Sequence, residues 1–246
     1  LKTVAFIAAR MGSERLPGKV LKPLSGIPSL VHIFNILREV KNIDDFAVVT
    51  TILKEDDIIE KICNESGVTC IRGSVHDVLD RFRTASEITN ADVIVRVTGD
   101  DPLMDPQIID KVIFEHKSGD FDYTSNIEDR TYPRGMDTEV INFGALEKCW
   151  RESADKDDHE HVTLYIRRNP EMFKIKSVKK DGAPAADLRL CLDTEEDYLL
   201  AEKIYEKLYD GKPIRLDDVL DLLEKEPLLR KINESVLQKK VKDKIF

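Results

Sequence analysis

The sequence has no apolar run of 18 residues, only 4 cysteines and a single tryptophan among 246 residues, and no excess of positive charge. Each absence excludes a class of protein. Without a long apolar run, no segment reads as a membrane-spanning helix. The cysteines, Cys63, Cys70, Cys149 and Cys191, show no C-x-x-C spacing and lie in apolar surroundings, so reduced thiols are expected rather than a disulfide or a zinc site. Lys and Arg total 38 against 47 acidic residues, a net charge of −9 whose field repels phosphate backbones and anionic lipid surfaces. Neither nucleic acid nor membrane is an expected partner. The first apolar run ends at Arg10 and is too short for a secretory core, so a cytoplasmic location is expected.

What is present is the balance of one globular domain, with 41% apolar and 35% charged residues. Apolar β-branched runs alternate with helical patterns. Val4 to Ala9 precedes a helix with Leu30, Ile33, Phe34 and Leu37 on one face, and Phe46 to Thr51 precedes Ile58, Ile59, Ile62 and Cys63. Val68 to Ile71 then leads to Val78, Leu79 and Phe82, and Val93 to Thr98 leads to Ile108, Ile109 and Val112. This βαβ rhythm predicts a parallel sheet with helices on both faces. After Phe121 the pattern predicts short strands at 137–141, 173–179 and 188–192, helices near 145–154 and 159–168, and a long helix from Thr194 to Tyr209. The predicted fold is a single-domain α/β, Rossmann-like nucleotide-binding architecture, its sheet mixed but mostly parallel, with residues 217–246 as a helical extension.

Between the first strand and the first long helix, Arg10, Arg15 and Lys19 place three cations within ten residues, with Gly12 and Gly18 among them. In an open α/β sheet ligands bind beyond the carboxyl ends of the strands, where this loop emerges. Glycines permit close backbone approach, and guanidinium forks match phosphate oxygens. The loop is not a P-loop: five residues separate the glycines and Val20, rather than Ser or Thr, follows Lys19. The G-x-G-x-x-G fingerprint is absent too. A metal accompanying a triphosphate would therefore need carboxylates from elsewhere. Asp100, directly after the strand ending at Thr98, lies at the same sheet edge, and Asp193 ends the 188–192 run in the same manner. Mg²⁺ takes one or two carboxylates with phosphate oxygens and water, so this pair would suffice. Each acid also has a plainer reading. Asp-Asp-Pro is a common turn, and Asp193 precedes a helix-capping box of Thr194 and Asp197.

The run Ala8-Ala-Arg-Met-Gly-Ser-Glu-Arg-Leu-Pro-Gly-Lys19 resembles the A-R-x-x-S-x-R-L-P-x-K signature of cytidylyltransferases that activate sugar acids, such as CMP-KDO and CMP-sialic acid synthetases. Later segments resemble the spore-coat polysaccharide branch of that superfamily: Arg72-Gly-Ser74 with Asp77 to Arg81, Thr98-Gly-Asp-Asp-Pro102, Tyr132 to Glu139, Glu160-His-Val162, and Leu192 to Tyr198. The resemblance implies a nucleotidyltransferase fold, CTP as donor, Mg²⁺ on Asp100 and Asp193, an acidic sugar as acceptor, and a homodimer. It implies nucleotide contacts from Ala8, Ala9, Arg10, Gly12, Ser13, Arg15, Lys19, Gly73, Ser74 and Asp100. Arg81 reads as a structural ion-pair partner.

On the acceptor side, Tyr132 and Arg134 are candidate contacts, Arg134 for a carboxylate. Asp137 and Glu139, two apart in an expected strand, face one way and would bind sugar hydroxyls or a second metal, or form a polar strand face. Family resemblance places Glu160 and His161 near the acceptor. His159-Glu160-His161 does not read as a metal site, since residues two apart on a helix point nearly opposite ways. Arg10, Arg15, Lys19 and Asp100 are the candidate catalytic residues. A glycosyltransferase using a nucleotide sugar is one rival, although it would not need the cationic loop. A non-catalytic nucleotide-binding module is another, and would be expected to have lost a loop cation or Asp100.

Overall fold

In the computed structural model, which describes residues 1–238, β1 (Thr3–Ala8) leads through a hairpin of β2 (Pro23–Leu24) and β3 (Ile27–Pro28) to α1 (Ser29–Glu39). Three further strand–helix units follow: β4 (Asp45–Thr51) with α2 (Asp57–Glu65), β5 (Thr69–Gly73) with α3 (Val78–Thr89), and β6 (Val93–Thr98) with α4 (Pro106–Lys117). These strands pair in parallel in the order β5-β4-β1-β6. The chain works outward from β1 to β5 and then returns to the other side of β1. The order therefore reverses at the carboxyl ends of β1 and β6, the switch point at which open α/β sheets bind ligands.

Strand periodicity decides which side chain enters which layer. Ala5 and Ile7 of β1 pack with Leu30, Ile33 and Phe34 of α1 and Val112 of α4 on one face. Val4 and Phe6 pack with Leu79 and Phe82 of α3 on the other. Both faces are covered, which is why these strands read as unbroken apolar runs.

The second half adds β7 (Tyr123–Ser125), β8 (Glu139–Asn142), α5 (Phe143–Glu152), α6 (Lys156–His161), α7 (Leu164–Arg168) and β9 (Ile175–Ser177). β8 runs antiparallel to β6 and β7, and β9 is parallel to β7, giving one seven-stranded mixed sheet. α8 (Glu195–Leu208), α9 (Leu216–Lys225) and α10 (Pro227–Arg230) complete the described chain. The expected extension over 217–246 is helical in α9 and α10, turns over 231–235 and has no regular structure over 236–238. Residues 239–246 of it lie outside the described residues.

Several expectations change. The run Leu188 to Leu192 is not a strand; it makes one bridge, Arg134 with Arg189, and lies over Gly135. Gly135 has φ +96°, and a Cβ there would stand 2.6 Å from the Leu190 carbonyl carbon, so the backbones cross too closely for a regular ladder. β8 begins at Glu139, leaving Asp137 in the preceding loop. The strand expected over 173–179 shortens to β9. The helix expected over 159–168 breaks at Val162 into α6 and α7. β7 and the hairpin of β2 and β3 were not anticipated, although Ser25 and Gly26, both at positive φ, form the two-residue turn that such hairpins favour.

Candidate active site

The cationic loop is fixed before any ligand arrives. Leu16 is fully buried in a core cluster with Leu24, Leu103 and Leu192, a burial contributing about 1.5–3 kcal/mol. Gly18, at φ +68°, donates its amide to the Met11 carbonyl and closes the loop. The Met11 amide donates to the buried carboxylate of Asp56 at 2.7 Å. Gly99 allows close approach at the switch point: a Cβ there would lie 3.0 Å from the Ala8 carbonyl oxygen and from the Ala9 Cβ.

Two adjoining cavities open at this sheet edge. The first, about 520 Å³, is lined by Ala8, Arg10, Gly12, Ser13, Arg15 and Lys19 of the loop. The second, about 660 Å³, is lined by Arg96, Asp101, Arg134, Asp137, His161 and Cys191, among others. Arg15, Thr98, Asp100, Glu160 and Asp193 line both. The two candidate metal acids therefore stand where the cavities meet.

Lys19 Nζ donates to Asp100 and, at 2.8 Å, to Asp193 Oδ1. Burial disfavours its charge, but the two carboxylates outweigh that and raise its pKa. Asp193 also receives Arg15 Nη2 at 3.0 Å and Arg189 Nη2 at 2.5 Å. Burial pushes its carboxyl up, yet Lys19, Arg15 and Arg189 prevail and hold it at about 2. Asp193 precedes the Thr194–Asp197 capping box of α8, which is present as expected. The box uses the Thr194 and Asp197 side chains and leaves the Asp193 carboxylate to Lys19, Arg15 and Arg189.

The donor set fits a hard divalent cation. Two carboxylates, from the ends of separate segments, converge on one ammonium and so already share a cation-sized point. Cys191, Asp193 and Asp197 also cluster, with ligand atoms within 4.8 Å, but that group does not suit magnesium. Burial pushes the Cys191 thiol up, and Asp197 is held by Arg189 Nε and Asn233.

In the second cavity Arg134 has no carboxylate within ion-pair distance among the described residues. Burial and the neighbouring Arg130 guanidinium both press against its charge, so an anion placed here is favoured. Asp137 lines the same cavity and holds Arg130 through two bonds of 2.6 and 2.8 Å. Glu160 and His161 both face the cavity. His159 turns away to Asp77 at 2.8 Å, as the two-residue spacing requires.

Other candidates sit elsewhere. Glu139 is 2% exposed and lines neither cavity, so it does not share a face with Asp137; it accepts from Arg96, Tyr123 and Thr163 behind the cleft. Tyr132 is buried in the core under α8 and also lines neither cavity. Ala9 is buried, its amide donating to the Val49 carbonyl. Gly73 and Ser74 lie at the end of β5, outside both cavities. Gly73 leaves room for Arg81, whose Cγ would be 2.7 Å from a Cβ, and the Ser74 hydroxyl accepts from the Asp77 amide. Among the described residues Arg81 does not form the expected ion pair and its buried Nε has no partner; burial together with Arg10 lowers its pKa.

Sequence reasoning assigns no role to Arg96, Asp101 or Asp56. Arg96 carried a signal, a charge within an apolar strand. Asp101 accepts from the Thr98 hydroxyl at 2.6 Å, and burial, then Asp100 and Asp137, push its carboxyl well up.

Comparison with known proteins gives the family. The family described as Cytidylyltransferase matches residues 4–229. The spore coat polysaccharide biosynthesis protein SpsF of Bacillus subtilis is 36% identical over 228 residues, covering 90% of this chain and 94% of its own. The 3-deoxy-manno-octulosonate cytidylyltransferase 2 of Hydrogenovibrio crunogenus is 35% identical over 197 residues, covering 70% and 78%. The solved structure of a cytidylyltransferase from Leptospira borgpetersenii superposes with a TM-score of 0.89 at 31% identity, covering 98% of this chain and 100% of that one. A cationic loop facing a carboxylate pair at the sheet's switch point, in a chain matched along nearly its whole length, makes this protein a member of the cytidylyltransferase family, a CTP-using nucleotidyltransferase.

Proposed function

We propose that this cytidylyltransferase transfers CMP from CTP to an acidic sugar in a Mg²⁺-dependent reaction, releasing pyrophosphate. One observation carries the reading: Asp100 and Asp193 lie at the junction of a cation-lined cavity and a mixed polar one. The triphosphate lies along the loop, with its α-phosphorus toward the junction. The acceptor enters from the other side. Its hydroxyl oxygen forms the new bond to phosphorus as the bond to the β-phosphate breaks, in line and without a covalent enzyme intermediate.

Arg10, Arg15 and Lys19 stabilise charge on the departing pyrophosphate. Asp100 and Asp193 would hold the cation, which when bound offsets charge building on the α-phosphate. Arg134, the cavity's guanidinium without a carboxylate, takes the acceptor's carboxylate. Asp137, Glu160 and His161 supply hydrogen bonds to hydroxyls. The name of the Bacillus subtilis relative, a spore coat polysaccharide biosynthesis protein, extends the reading to supply of a surface polysaccharide.

Pyrophosphate release across CTP, UTP, ATP and GTP, with 3-deoxy-manno-octulosonate, N-acetylneuraminate and their neutral counterparts, tests it. CTP with an acidic sugar should dominate. Equal use of UTP, or of neutral sugars, would defeat the assignment of base or acceptor respectively.

A further inference from the structure

The break between α6 and α7 falls on a residue ill suited to it. Val162 has φ 56° and ψ −56°, and the Thr163 amide donates to the His161 carbonyl at 2.5 Å. This is a γ-turn of the strained hand, rare for any residue and rarer for a β-branched one. Such strain persists only where the surroundings over-determine it.

Two restraints do so here. The Val162 side chain is fully buried among Phe82, Leu146 and Ile166, and the Thr163 hydroxyl donates to Glu139 Oε2 at 2.6 Å. The turn comes directly after Glu160 and His161, which with Asp157 are the residues of α6 that line the second cavity. Straight continuation of the helix would carry Val162 and Thr163 along the same axis; the γ-turn instead sends them back into the core and leaves their predecessors at the cleft.

Glu139 is the common anchor. Besides Thr163 it accepts from Tyr123 Oη at 2.6 Å and from Arg96, its direct cross-strand partner on β6. Arg96 in turn lines the second cavity. Among the described residues its buried Nε has no partner, so its orientation rests on Glu139. One buried carboxylate thus ties a floor residue and a wall of the cavity to the same point.

We propose that Glu139 is the positioning residue of the acceptor cavity, fixing Arg96 on its floor directly and Glu160 and His161 on its wall through Thr163 and the Val162 turn. It touches no substrate. The inference rests on the second cavity being the acceptor's, as argued above, and gives Glu139 a place behind the site instead of within it.

Thr163→Val removes one hydroxyl at nearly constant shape, Thr163→Ser restores it, and Glu139→Gln removes the charge. In protein without substrates, the His161 ring signals in ¹H–¹⁵N spectra should shift and broaden in Thr163→Val and Glu139→Gln, return in Thr163→Ser, and leave His32 unmoved. With CTP, Mg²⁺ and 3-deoxy-manno-octulosonate, Thr163→Val should raise KM for the sugar about tenfold, the scale of a lost bond to a buried charge. In that variant kcat should fall less than threefold and CTP affinity should stay within twofold. Unmoved His161 signals in Thr163→Val overturn the proposal, and so does a parallel loss of CTP and sugar binding that serine does not rescue. Should the wild type fail to turn over this sugar, the acceptor assignment falls, and the His161 signals still decide the positioning claim.

Discussion

Asp193→Asn tests the charge cluster at the centre of the site, because the substitution keeps volume and removes one negative charge from among Lys19, Arg15 and Arg189. Asp193 is held at about 2 in the folded chain against an ordinary value of 3.8. Its side chain is only 16% exposed, so solvent screening discounts the effect little. At about 1.36 kcal/mol per pKa unit the difference amounts to about 2.5 kcal/mol of stability. The sign follows from the depressed value: the unfolded chain takes up the proton first, so the contribution is complete well above pH 4 and is lost as pH falls toward 2. For a chain of this size the variant should melt about 5–10 °C below wild type at neutral pH. Urea titrations of both proteins at pH 7, 5 and 3 check the shape, with the gap roughly constant over the first two and about halved at the last. Equal stability at pH 7, or a gap that ignores pH, would refute the idea that Asp193 is the anionic hub of this cluster.

Arg15→Ala should weaken CTP binding about ten- to a hundredfold without metal, the value of one charge-assisted bond to phosphate, as read by calorimetry; normal binding would remove the loop from the triphosphate site. Asp100→Asn should leave metal-free CTP affinity within threefold and lower single-turnover rates about 10²-fold or more, since its part grows as charge builds on phosphorus. Near-wild-type turnover would reduce Asp100 to a turn residue. A homodimer built from elements beyond Phe121 should scatter light at about twice the 28.1 kDa chain mass at tens of micromolar, and a mass of one chain would refute it.

Before Asp100 the sheet strands β1, β4 and β6 are legible because each is covered on both faces, so burial writes an apolar run and the intervening helix writes a stripe. Beyond it, strands of three or four residues such as β7 and β9 carry too few positions to show a period. Leu188 to Leu192 is the instructive failure. Its side chains alternate as a strand's would, Leu188, Leu190 and Leu192 joining one core cluster while Cys191 lines the second cavity, yet its backbone lies over Gly135 and bonds only piecemeal. Alternation reports which side a side chain takes; ladder formation depends on a neighbour that the local sequence does not contain. The same distinction separates the site residues. Arg10, Arg15 and Lys19 were legible because they share one loop and their spacing is visible. Glu139 was misplaced because its role depends on Thr163, 24 residues on, and on Arg96, 43 residues back.

Net charge misleads in the same way. A chain of −9 repels a triphosphate at long range, but at physiological salt that field decays over about 8 Å. Inside the site the separations are near 3 Å, where a single pair of charges is worth about 4 kcal/mol or more at an effective dielectric constant of 20. Lys19 and Arg15 are meanwhile balanced by Asp100 and Asp193, so the loop holds its cations close together without large self-repulsion. Arg10 alone of the three has no ion pair among the described residues, and the buried Arg81 behind it adds to the positive potential at that end of the first cavity. The potential therefore runs from positive at Arg10 to mixed at the carboxylate pair. On the proposed reading, a triphosphate entering this gradient would be oriented with its terminal phosphates toward Arg10 and its α-phosphorus toward the acceptor, the polarity that in-line release of pyrophosphate requires.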